Sequence, residues 1–160
     1  MNVADLLERA KAQGVMIATA ESCTGGMVAA ALTDIPGSSA VVERGFVTYT
    51  NTAKQQMLGI HAETLAAHGA VSEQVAHEMA EGALRNSDAQ LTVSVTGIAG
   101  PGGSEFKPEG RVCFGLAADG VPTRTETVDF GALGRDKVRV AARDHALDLL
   151  SQGLFSLAQK

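Results

Sequence analysis

A serine and a cysteine stand side by side in Ala20-Glu21-Ser22-Cys23-Thr24-Gly25-Gly26. The stretch lies between an apolar run that reads as a short buried strand (residues 15–20) and one that reads as a helix (residues 27–32, ending near Pro36-Gly37). On a strand-to-helix turn a hydroxyl or thiol can attack a carbonyl carbon. Unpaired N–H groups at the helix start, among residues 23–26, would stabilise the oxyanion, and the two glycines let a substrate approach the backbone closely. The pattern also has a purely structural reading, because Ser22 or Thr24 would serve as an ordinary helix N-cap. Cys23 is intrinsically the better nucleophile. No histidine near it in sequence would form its thiolate, however, so Ser22 ranks above it and Cys23 packs under the turn.

A serine nucleophile needs a base. His61, His68, His77 and His145 are scattered without an HxxxH or HxH spacing, so neither a zinc site nor any other metal or cofactor is expected. The best base is Lys54, in Thr48-Tyr49-Thr50-Asn51-Thr52-Ala53-Lys54, just past a second strand candidate (residues 40–49). If the two strands are parallel neighbours, their carboxyl ends share the sheet edge where ligands of open α/β folds bind. A free lysine titrates near ~10.4, so acting as a base requires burial or cationic neighbours that lower it by roughly 3 units, worth about 4 kcal/mol. Without them Lys54 is a solvated helix lysine. Tyr49, the one tyrosine, is either a third catalytic group at the sheet edge or a plain strand residue. The loop at 96–104, with Thr96, Gly97, Gly100, Gly102 and Gly103, offers backbone N–H groups and little side-chain bulk, as a phosphate cradle requires, though it is neither GxGxxG nor a Walker A loop.

The elements that must position these groups follow from periodicity and punctuation. Residues 3–13 read as a helix closed by Gly14. In the second strand Gly45 marks a bulge. Asn51 and Thr52 cap a short helix carrying Lys54 and ending at Gly59, and residues 62–67 form another, closed by Gly69. Residues 72–86 read as a helix capped by Ser72, with Val75, Met79, Ala83 and Leu84 as its apolar stripe. Residues 91–95 alternate apolar and hydroxyl side chains as a buried strand. Two further strands, 111–118 and 123–130, are joined by the hairpin signal Asp119-Gly120, which places at least one antiparallel neighbour in the sheet. A long helix at 135–157 covers one face.

The chain of 160 residues, with 45% apolar and 19% charged residues, has the composition of one soluble globular domain spanning residues 1–160. A net charge of −5, no Lys/Arg run and an aromatic content of 4% argue against a nucleic-acid partner. No apolar run approaches the roughly 20 residues needed to span a bilayer, and the start lacks a secretory pattern, so no membrane partner and a cytoplasmic location are expected. Cys23 and Cys113 are then free thiols.

Four ordered motifs carry a resemblance: AESCTGG (20–26), GFVTYTNTAKQQMLGI (45–60), HGAVSEQVAHEMAEGAL (68–84) and SVTGIAGPGGSEFKPEG (94–110). Together they closely resemble the CinA C-terminal domain family. That likeness implies a three-layer α/β/α sandwich with a mixed, mainly parallel sheet, and hydrolysis of the carboxamide of nicotinamide mononucleotide to nicotinate mononucleotide and ammonia, a step of pyridine nucleotide recycling. It implies a Ser/Lys dyad at Ser22 and Lys54 but does not settle the groups around it, of which Tyr49 is one candidate. Thr24, Gly25, Asn51 and the glycine-rich loop are assigned to substrate positioning. Arg139 is the expected phosphate partner, because the family carries arginines near the start of its last helix, with Arg135 or Arg143 as alternatives. The family usually reads KPVG where this chain has Lys107-Pro108-Glu109-Gly110, and Glu109 is expected to face solvent. Many relatives carry a further N-terminal domain, not expected here. A symmetric dimer is the default expectation. Two competing readings stand beside the amidohydrolase: a non-catalytic nucleotide-binding or interaction module, in line with the family's naming for competence and DNA damage, and an amidase for an unrelated small amide.

Overall fold

The computed structural model describes residues 2–104 and 106–159. In chain order the elements are α1 (Val3–Gln13), β1 (Ile17–Glu21), α2 (Met27–Thr33), a 3-10 turn (Ser38–Ala40), β2 (Val42–Val47), α3 (Asn51–Leu58), α4 (Ala62–His68), α5 (Glu73–Arg85), β3 (Leu91–Gly97), β4 (Arg111–Ala118), β5 (Val121–Asp129) and α6 (Arg135–Ala158). The sheet order is β2-β1-β3-β4-β5. It is parallel from β2 through β1 to β3 and antiparallel from β3 through β4 to β5. Every residue of β1 is buried, which makes it the central strand of the parallel half.

Helices cover both faces. On one, Leu6 of α1, Val28 of α2 and Val138, Leu150 and Leu154 of α6 pack on Ile17, Val93 and Phe114. On the other, Leu58 of α3 and Val75, Met79 and Ala83 of α5 pack on Ala20 of β1. Each fully buried Leu, Ile, Val, Met or Phe side chain among these stabilises the fold by about 1.5–3 kcal/mol.

The apolar/hydroxyl alternation of β3 has a direct structural cause. Its apolar residues Leu91, Val93 and Val95 belong to the α6-side core. The alternate side chains face α5, where Thr92 donates to Ala80 O (2.7 Å) and Ser94 to Ala76 O (2.6 Å), while Thr96 donates to Ala70 O (2.9 Å) just before that helix. These bonds satisfy hydroxyls that burial would otherwise penalise. They also draw α5 close: a Cβ on Gly115 would lie 2.4 Å from Ala76 O.

Gly45 is not at a bulge. The register break between β1 and β2 falls at Ile17/Ala18, opposite Val42 and Arg44, whereas Gly45 pairs regularly with Thr19. A Cβ there would lie 2.9 Å from Thr19 Oγ1, so close approach and not ladder geometry calls for glycine. The N-cap of α3 is Thr50, whose hydroxyl accepts from Ala53 N (3.0 Å), one residue before the expected caps.

Candidate active site

Parallel pairing brings the carboxyl ends of β1, β2 and β3 to one sheet edge, and the chain then turns there three times. Backbone bonds fix the first two departures: Ser22 N donates to Val95 O (2.9 Å) and Thr48 N to Glu21 O (2.8 Å). Ser22 therefore stands at the end of the central strand, and Lys54 lies in the first turns of α3, immediately after β2. Lys54 is 1% exposed and Ser22 8%. The Lys54 Nζ lies 3.0 Å from Ser22 Oγ, 2.8 Å from Thr48 O and 3.3 Å from Tyr49 O.

That arrangement suits a proton shuttle. A neutral amine has two N–H donors and one lone pair, matching two carbonyl acceptors and one hydroxyl donor; an ammonium donates its third N–H to the same hydroxyl oxygen. Both protonation states are hydrogen-bonded, and only the Ser22 proton changes side.

The turn after Ser22 is held by a residue that sequence reasoning passed over. Glu21, 1% exposed, accepts through Oε1 from the Thr24 hydroxyl (2.6 Å), Gly26 N (3.2 Å) and Val28 N (2.9 Å), and through Oε2 from Ala29 N (3.0 Å). A carboxylate thus takes the orphan amides that open α2, where the helix dipole favours negative charge. Neither Ser22 nor Thr24 caps that helix. The signal was present: an acidic residue directly before a helix-opening turn is a ready partner for its amides. Of the four amides expected to face an oxyanion, Gly25 N donates to Ser22 O (3.0 Å) and Gly26 N to Glu21, so both are committed.

Cys23 is buried beside the serine, and burial above all, with the Glu21 charge adding to it, pushes its thiol up to about 12; its own amide, Arg139 and Lys54 oppose this only in part. At neutral pH it is a protonated thiol, which supports the ranking of Ser22 above it.

A cavity of about 350 Å³ opens over this pair, a size in the range of small-molecule sites. Ser22, Cys23, Tyr49, Asn51, Lys54, Thr96, Gly97, Gly100, Gly102, Gly103 and Arg135 are among its lining residues. Three expected site residues do not line it. The Thr24 side chain is fully buried on Glu21. Gly25 lies against the Arg139 guanidinium. Arg139 is committed to the backbone, donating to Cys23 O (3.0 Å) and Thr24 O (3.3 Å), so it buttresses the turn after Ser22. The arginine at the cavity is Arg135, which donates to Gly100 O (2.7 Å) and to the Tyr49 hydroxyl (2.7 Å). Tyr49, 58% exposed, is a rim residue whose carbonyl, not its phenol, meets Lys54.

Glu109, expected to face solvent, is half-buried and bonded to two backbone amides, Gly102 N (2.7 Å) and Gly134 N (3.1 Å). Lys107 ties the same loop to the segment before α5, donating to His68 O (2.7 Å) and Val71 O (2.6 Å). Among the described residues no group of three or more His, Cys, Asp or Glu is placed to hold a metal ion, and no helix is long and apolar enough to cross a membrane.

A serine and a buried lysine in contact at the carboxyl edge of a helix-flanked mixed sheet, beneath a glycine-rich loop, define an α/β protein that presents a serine hydroxyl, with an amine beside it, on a strand-to-helix turn. Residues 2–154 match the CinA C-terminal domain, and the chain belongs to that family. It is 56% identical over 146 residues to the nicotinamide-nucleotide amidohydrolase PncC of Escherichia coli strain K12, covering 89% of this chain and 86% of that protein. It is 58% identical over 120 residues to a CinA-like protein of Chlorobium phaeobacteroides strain BS1, covering 72% of this chain but only 29% of that longer protein. The crystal structure of the competence/damage inducible protein CihA from Agrobacterium tumefaciens superposes with a TM-score of 0.86 at 50% identity, covering 92% of this chain and 93% of that one. A CinA superfamily protein from Escherichia coli gives a TM-score of 0.90 at 37% identity, covering 94% and 87%.

Proposed function

We propose that this chain is an amidohydrolase that converts nicotinamide mononucleotide and water to nicotinate mononucleotide and ammonia, with Ser22 as nucleophile and Lys54 as proton carrier. The observation that carries this is the buried Lys54 amine 3.0 Å from the Ser22 hydroxyl oxygen, lining the same cavity, in a chain 56% identical to an amidohydrolase of nicotinamide nucleotides. Ser22 Oγ attacks the carboxamide carbon while its proton passes to Lys54 Nζ, and the carbonyl electron pair moves onto oxygen. The Cys23 amide of the turn is the donor assigned to that oxyanion. As the C–N bond breaks, the Lys54 ammonium returns its proton to the departing nitrogen, which leaves as ammonia. Water then attacks the acyl ester and gives a proton to Lys54, and Ser22 recovers it when the Oγ–C bond breaks.

The substrate phosphate lies against Arg135. A guanidinium has five N–H donors, and the bonds to Gly100 O and Tyr49 orient this one at the cavity rim. The test is product analysis with nicotinamide mononucleotide, nicotinamide riboside, nicotinamide and unrelated small amides. The mononucleotide is expected to exceed the riboside in kcat/KM by about 10-fold or more, the worth of one charge-assisted phosphate contact. Equal turnover of all the amides would make the chain a general amidase.

A further inference from the structure

Glu109 stands where the resemblance leads one to expect an apolar residue, and its carboxylate is built into the fold beside the cavity without lining it. One oxygen accepts from Gly102 N in the glycine-rich loop, the other from Gly134 N, the residue immediately before α6. The next residue, Arg135, points its guanidinium back to Gly100 O of the same loop and to the Tyr49 hydroxyl. The loop and the helix start are therefore cross-linked twice, once by Glu109 and once by Arg135. The fit at Gly100 is close: its φ is +91°, and a Cβ there would lie 2.5 Å from the Glu109 carboxyl carbon.

We infer that Glu109 is a positioning residue that sets the cavity's grip on the phosphate end of the substrate by holding Arg135 against the loop. The inference rests on the proposed nucleotide reaction. Two effects of the carboxylate oppose each other. Its negative charge disfavours a nearby phosphate, and its bonds fix the cation that would bind one. Positioning dominates, because the Glu109 carboxylate does not itself line the cavity, whereas Arg135, the residue after the Gly134 amide it holds, does.

The experiment compares wild type, Glu109→Gln and Glu109→Val by kcat and KM on nicotinamide mononucleotide and on nicotinamide riboside, which lacks the phosphate. For Glu109→Val the KM for the mononucleotide is expected to rise about tenfold, as for loss of a charge-assisted bond pair, with kcat changed less than about twofold and riboside kinetics unmoved. Glu109→Gln, which keeps one acceptor oxygen, falls between. Equal losses on both substrates, unchanged kinetics or a lowered mononucleotide KM would each overturn the inference. A second readout needs no turnover: the amide proton resonances of Gly102 and Gly134 should move upfield together in Glu109→Val. Unmoved resonances would refute the linkage even in an inactive protein, whereas wild-type inactivity with moved resonances would count against the proposed reaction and not against the Glu109 link.

Discussion

Replacing Glu21 by glutamine changes almost no volume and removes one charge at the point where the turn after Ser22 is assembled. The carboxylate receives four donors, three at Oε1 and one at Oε2, and it is 1% exposed, so water cannot substitute for what is lost. In its better orientation the glutamine keeps its carbonyl oxygen at the Oε1 position. Its NH₂ then faces Ala29 N–H, leaving a buried donor unpaired at about 1–3 kcal/mol. Loss of the negative charge at the helix start adds about 0.3–1 kcal/mol. The sum is about 1–4 kcal/mol, against a total stability of about 5–15 kcal/mol. At about 2–4 °C per kcal/mol for a chain of this size, Tm should fall by about 3–16 °C. Urea titration followed by circular dichroism, with calorimetry for Tm, measures this, and an unchanged m-value keeps the comparison two-state. A Glu21→Gln protein within about 0.5 kcal/mol of wild type, the range of an ordinary surface change, would refute the capping argument.

Two further outcomes follow from the placement of the arginines and of the buried thiol. Arg135→Ala should raise KM for the mononucleotide while leaving the riboside unaffected, whereas Arg139→Ala, which releases Cys23 O and Thr24 O, should lower kcat on both alike; steady-state kinetics with the two substrates separates the cases. Cys23 should resist thiol reagents in the native protein at pH 8. Its folded pKa of about 12 lies above the ordinary thiol value of 9.0, so the native state keeps its proton while the unfolded state ionises. The stability it contributes is complete below pH 9 and is lost as pH rises toward 12. Between pH 8 and pH 10 wild type should therefore lose about 1 kcal/mol more than Cys23→Ala, measured by urea unfolding at both values.

Local signals in the sequence located the parts whose causes are local. The helix over residues 3–13 with Gly14 as its left-handed cap, the Ser72 cap of α5 and the Asp119-Gly120 hairpin all rest on chemistry within a few residues of one another. The meeting of Ser22 and Lys54 was legible for a different reason: two strands followed by turns, if parallel, must bring their carboxyl ends together, and they are parallel. What escaped were side chains whose partners come from elsewhere in the chain. Arg139 and Arg135 lie one helical turn apart on α6, yet one holds the backbone of residues 23 and 24 and the other reaches residues 49 and 100. No periodicity distinguishes them. Glu109 read as a solvent-facing charge because its acceptors' partners, Gly102 and Gly134, are amides that only the folded loop and the start of α6 bring together. Gly45 looked like a bulge because the side chain that excludes a Cβ there belongs to the neighbouring strand.

The central claim is that Ser22 attacks and Lys54 carries the proton. It is tested most directly by ammonia release from nicotinamide mononucleotide with wild type, Ser22→Ala and Lys54→Met, each shown to be folded by its thermal transition. Wild type should release ammonia, with a loss of about 10³-fold or more for Ser22→Ala and of about 10²–10⁴-fold for Lys54→Met, the contribution of a positioned general base. A folded Ser22→Ala or Lys54→Met protein that releases ammonia at the wild-type rate would contradict that claim.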